Sequence, residues 1–376
     1  MRRILCLLGA ASFFFVAGCT AAPAADGAGA TAAASAPAPQ GQAIAPYQPR
    51  FGRSRPVAAV IGENRYTELS DYVVPYGVLS QSGAAEVVAV ATREGPMQMF
   101  PAFKIQPQAT TAAFDARYPD GADYVIVPAV HYDDDPQLLG WIAAQARKGA
   151  TVVGICDGVW VVGKAGLLKG RRATGHWYAF DDLRKEFKDT TWVRNRRYVV
   201  DGPVVTTTGL SASIPVSLAL VEAIAGRDRA QQVAAELGVP DWNVAHDSER
   251  FKLGARTVWT IAKNWVAFWS HEDLGLPVAA GVDEITAALV ADVYSSTFRS
   301  QTFSVAASPG PVRTRRGLVL LPDRVSGGDK APDRMLAAPG DTPPVRALQR
   351  ALDDIATRYG QPTAAWVSLK IEHHRD

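Results

Sequence analysis

Four short runs in the first half of the chain, residues 57–61, 86–91, 123–130 and 151–155, are almost continuously apolar and rich in valine. A strand with one wet face alternates apolar and polar residues. A run without alternation is buried on both faces, which is the pattern of a parallel sheet covered by helices. The segments between the runs supply the covers. Residues 71–80 and 136–148 read as helices; Pro136 stands in a first turn, where its missing N–H costs nothing, and Gly149 follows a last turn. Further on, "RYVVDGPVVTTTG" reads as a hairpin around Asp201-Gly202, and residues 213–225 as a helix closed by Gly226. This rhythm predicts a doubly wound, mostly parallel α/β sheet with its site at the carboxyl ends of the strands.

The flanks have other textures. Arg2 and Arg3 precede an apolar stretch of signal-peptide length, and Val16-Ala17-Gly18 leads into Cys19. This resembles a bacterial lipobox, which implies a signal peptide over 1–18 and lipid on Cys19. It also implies a lipid-anchored, periplasm-facing lipoprotein, with the outer membrane favoured because Thr20 replaces the aspartate of inner-membrane retention. Residues 19–55 are Ala/Pro-rich and read as a disordered tether. Beyond residue 226, the segment 227–376 reads as a mainly helical extension with short strands at 302–307 and 317–323, a helix over 344–359 and a strand over 364–371.

Composition narrows the function classes. A net charge of +2, with basic residues gathered only at 194–197 and 313–316, lacks the footprint of a nucleic-acid binder. No metal site is expected. His131 with Asp133, Asp134 and Asp135 reads as a polar loop after a strand, His373-His374 as a frayed terminus, and His246-Asp247 and His271-Glu272-Asp273 lack zinc-helix spacing. Trp259, Trp265 and Trp269 recur at helical intervals and read as core or a groove wall.

The chain has three cysteines. Cys6 would leave with the signal and Cys19 would take lipid, leaving Cys156 without a disulfide partner. Cys156 lies in "GICDG", between a strand and a helix. Flanking glycines permit the sharp turn that exposes a nucleophile, and the dipole of the following helix favours thiolate.

The stretch 154–177, "GICDGVWVVGKAGLLKGRRATGHW", resembles the ThiJ/PfpI superfamily, especially the branch of isocyanide hydratases and of the amidotransferase-like domains of AraC-type regulators. The likeness extends to residues 62–75 and to "TTTGLSASIPVSLALVEAIAG", so it covers a domain at about 56–226 and implies a flavodoxin-like fold. It implies that Cys156 is the elbow nucleophile and that Asp71 is the acid brought beside it. Two like-charged groups so placed must share a proton. His176 matches a histidine near the site, in a relay or a structural role. Asp157 stands where many members have a histidine. Pro128-Ala129-Val130 replaces a Pro-Gly-Gly turn, so the backbone donors expected for an oxyanion are those of Asp157 and Ala129. The resemblance implies no cofactor, and a homodimer.

The activity expected from this pattern is a cysteine-dependent hydratase or hydrolase of a small electrophilic molecule. The alternatives are a small-molecule-binding module without a DNA-binding domain, or a redox sensor acting through Cys156.

Overall fold

The computed structural model describes residues 43–373. The signal segment, Cys19, most of the proposed tether and His374 lie outside the described residues.

The apolar runs form the centre of a seven-stranded sheet. Its strands are β1 (Val57–Gly62), β2 (Glu86–Ala91), β3 (Ala109–Thr110), β4 (Tyr124–Val127), β5 (Thr151–Gly154), β6 (Tyr198–Asp201) and β7 (Val204–Thr207). The order across the sheet is β6-β7-β5-β4-β1-β2-β3, and every pair is parallel except the β6–β7 hairpin. Continuous burial follows from two cores. Ala58, Val60, Ala89, Tyr124 and Ile126 face one, and Val57, Ala59, Ile61, Val88, Val90, Val125 and Val127 face the other. The alternation absent from the sequence is present in space, with hydrocarbon on both sides.

Helix α1 (Leu69–Ser82) packs on the first face. On the second, α2 (Pro136–Arg147) and α3 (Gly158–Lys164) contribute Leu138, Trp141, Ile142, Val159 and Val162. Helix α4 (Ser213–Ala225) joins α1, and Val216, Leu218 and Leu220 share its core.

The extension shares that first core. Its helices are α5 (Arg227–Leu237), α6 (Ala255–Val266), α7 (Glu284–Ser295), α8 (Pro344–Tyr359) and α9 (Gln361–Lys370). It also holds a parallel sheet of β8 (Glu272–Pro277), β9 (Ser300–Ala306), β10 (Arg324–Val325) and β11 (Arg334–Met335), in the order β10-β9-β8-β11. Helix α7 lies against α1. Gly77 makes the approach possible, since a Cβ there would meet Ile285 Cγ1 at 2.5 Å.

Three expectations change. Residues 364–371 are helical rather than extended, because Ala364, Trp366 and Val367 pack inward as one helical face. The extension, expected to hold strands only from 302 onward, also contains β8 among its helices. The tether reading over 43–55 gives way to a packed segment: Ile44 is buried, the Tyr47 N–H donates to Ala223 O at 2.8 Å, and Arg50 and Arg53 pair with the buried Asp123.

Candidate active site

Cys156 follows β5 at the carboxyl edge of the main sheet. It adopts φ 53°, the left-handed region, and its N–H donates to Thr207 Oγ1 at 3.1 Å. The strain of the elbow therefore sits on the cysteine itself. Gly154 and Gly158 have no positive φ and serve a different purpose from the one expected. A Cβ on Gly158 would collide with Val127 O, and one on Gly154 would come within 2.9 Å of Val162 Cγ2. The glycines let α3 press on the strands; the turn is held by Thr207 and by the Gly158 N–H to Ile155 O bond at 2.7 Å.

Asp71, in the first turn of α1, is fully buried, and its charge reaches the Cys156 thiol. Residues 66–68 run beside 129–131, with the Glu68 N–H on Ala129 O and the His131 N–H on Tyr66 O. That pairing presents the Ala129 N–H to Asp71 Oδ2 at 3.3 Å, and Ser213 Oγ donates to Oδ1 at 3.5 Å. The Ala129 N–H, expected to serve an oxyanion, is thus occupied by the carboxylate. Asp157 is the N-cap of α3, with its backbone at the start of that helix.

Cys156 is half-buried as a residue. Burial pushes its pKa well above the ordinary thiol value, and the carboxylates of Asp71, Asp157, Glu68 and Glu372 add to the rise. The expected thiolate bias from the helix dipole is overridden by burial first and then by the field of these acids. Burial likewise raises Asp71, opposed by the Ala129 N–H and reinforced by Asp292 and Asp157. Glu68 rises chiefly through burial.

Much of this setting comes from the extension. The Lys370 ammonium, on α9, donates to Ser296 Oγ at 2.7 Å and lies 3.5 Å from Asp292 Oδ1 and 3.8 Å from Glu68 Oε1. Asp292 is fully buried on α7. Glu372, two residues beyond α9, accepts the Trp177 N–H at 2.8 Å through Oε1 and the Gly209 N–H through Oε2, while its carbonyl accepts from Ser211 Oγ at 2.7 Å. These positions were missed because nothing local marks them. Glu68 had a signal: it stands three residues before Asp71, one helical turn away.

His176 is half-buried, and its Nε2 bonds to Lys370 O at 2.9 Å, while Trp177 Nε1–H donates to Leu369 O at 2.9 Å. The His-Trp pair docks the end of α9. His131 lies over the Phe100 ring, 4.5 Å between centroids, and burial lowers its pKa to about 4. Asp135 caps α2 and pairs with Arg93, and Asp133 pairs with Lys164. His246 stacks on Phe251, and His271 Nε2 bonds to Asn264 O at 2.9 Å.

Residues 57–223 match the DJ-1/PfpI family. The HTH-type transcriptional regulator CdhR of Pseudomonas aeruginosa is 34% identical over 121 residues, covering 32% of this chain and 36% of the regulator. The isonitrile hydratase of Pseudomonas putida is 39% identical over 104 residues, covering 28% of this chain and 44% of the hydratase. The chain thus spans less than half the length of either relative. The crystal structure of Drosophila melanogaster DJ-1beta superposes with a TM-score of 0.44 at 21% identity, covering 49% of this chain and 98% of that one.

Proposed function

With a DJ-1/PfpI family domain over residues 57–223 as premise, we propose that the protein is a cysteine-dependent hydratase of a small electrophilic carbon compound, of which an isonitrile is the nearest example. One observation carries the reading: a half-buried cysteine on a strained elbow lies within electrostatic reach of a buried carboxyl that belongs to a different element. Burial raises both pKa values, which favours a shared proton over two repelling anions.

The chemistry balances within that pair. Sulfur bonds to the substrate's terminal carbon while the thiol proton passes through the Asp71 carboxyl to the same carbon, giving a thioimidate. Water then adds to this carbon, and the carbon–sulfur bond breaks to release the N-substituted formamide and the thiol. The Asp157 N–H, at the start of α3, stabilises charge developing in the second step. His176 acts by seating α9 over the site.

The raised thiol pKa weighs against redox sensing, because oxidation proceeds through thiolate. A ligand-binding role like that of a regulator domain needs no reactive thiol. Mixing the purified chain with a small alkyl isonitrile and following formamide release separates the two. Turnover lost in Cys156→Ser supports the hydratase; a thiol that alkylates readily without any turnover rejects it.

The leader sequence supports a lipid-anchored, periplasm-facing location. Labelled palmitate incorporated by wild type and absent from Cys19→Ser supports this, and equal labelling of the two refutes it.

A further inference from the structure

Helix α6 has its apolar face turned outward. Thr260, Ile261 and Asn264 point into the protein, where Asn264 Nδ2 donates to Thr297 O at 2.9 Å and to Thr363 Oγ1 at 3.0 Å. These polar locks fix the helix's rotation. Val258, Trp259, Trp265 and Val266 occupy the opposite face, at positions i, i+1, i+7 and i+8, and the chain then places Phe268 and Trp269 just beyond the helix end. The exposures of Trp259 (70%), Trp265 (53%), Phe268 (72%) and Trp269 (75%) overturn the expectation that the tryptophans form core or a groove wall. Other exposed large apolar side chains, such as Tyr178 and Met335, are scattered through the sequence; here six gather within twelve residues.

The border of the helix is basic. Arg256 and Lys263 are exposed, Lys252 pairs with Glu249, and the stretch 251–271 contains no aspartate or glutamate. At 100° per residue, Arg256 and Lys263 fall together along one border of the apolar arc. Outward tryptophan and phenylalanine with a basic border are what a helix needs to lie in a bilayer interface, with rings at headgroup depth and cations on anionic headgroups. A second copy of the chain suits the surface less well, because a two-fold pairing of these faces would bring the cations of each copy near those of the other.

We propose that α6 and residues 268–269 form a docking surface for an anionic lipid bilayer. An acylated Cys19 would hold the body near a membrane without choosing which face it presents; α6 makes that choice.

The test uses the full chain bound to vesicles of phosphatidylglycerol and phosphatidylethanolamine, with or without brominated acyl chains. Because Trp259, Trp265 and Trp269 are three of nine tryptophans, brominated lipid is expected to quench roughly a third of the emission. Quenching is expected to disappear in the triple tryptophan-to-phenylalanine variant and to weaken on phosphatidylcholine vesicles. Three results each overturn the proposal: no quenching of the vesicle-bound wild type, quenching that survives in the triple variant, or a concentration-dependent dimer abolished by Trp265→Ser with Trp269→Ser.

Discussion

The Asp71 carboxylate accepts the Ala129 N–H at 3.3 Å, so the edge of the β4 loop serves to hold the acid rather than to await a substrate oxygen. This bond fixes where the carboxyl stands relative to Cys156. It also leaves the catalytic donor role to the start of α3.

Asp71→Asn keeps the shape and removes the charge. Burial and the Asp71 carboxylate both raise the Cys156 thiol, so the variant's thiol should ionise at lower pH. Iodoacetamide is expected to alkylate the variant about three- to tenfold faster than wild type at pH 8. Unchanged or slower alkylation would contradict the placement of the acid against the sulfur.

Lys370→Met should act in the opposite direction. The ammonium interacts with Cys156 as well as with Asp292 and Glu68, and losing it leaves the acids uncompensated. Alkylation at pH 8 is expected to slow by a similar factor, with Lys370→Arg recovering most of the loss. A Lys370→Met protein as reactive as wild type would remove the extension from the chemistry.

Glu68 and Asp71 give a pH signature. Burial raises their folded pKa values above the ordinary 4.5 and 3.8. The folded chain therefore binds these protons more tightly than the unfolded one. Their contribution is complete below about pH 4 and is lost as pH rises through the folded values. The Glu68→Gln/Asp71→Asn double variant should escape that loss and gain about 1–2 kcal/mol over wild type at pH 7, with little difference at pH 3.5. Urea unfolding at the two pH values checks this; an equal effect at both would show that charge is not the cause.

Gly158→Ala should be severely destabilising, by about 3 kcal/mol or more, since its Cβ would strike a strand carbonyl that has nowhere to move. Gly166→Ala, with φ 80° but open space around the Cβ, should cost only about 1 kcal/mol. Comparing the urea midpoints of the two variants distinguishes close approach from backbone strain.

Much of the architecture was legible because its signals are local. Residues 86–91, 213–225 and 344–359 announce a strand and two helices by their own periodicity and caps, and the structure places β2, α4 and α8 on those same spans. Residues 364–371 misled for the complementary reason: a short apolar run has no period long enough to distinguish a strand from a buried helix, and only its packing, with Trp366 Nε1–H donating to Ser296 O, decides. Cys156 and Asp71 were legible through the motifs around them. The acids and the ammonium that set their protonation were not.

The sequence by itself determined the parallel sheet, the elbow and the identity of the thiol, because each is written within a few neighbouring residues. Tertiary structure alone decided which groups surround that thiol and which face of α6 meets solvent. Glu68 and Glu372 are more than three hundred positions apart, with Asp292 and Lys370 between them, and their charges act on one another only once packing brings them together and removes the water that would screen them.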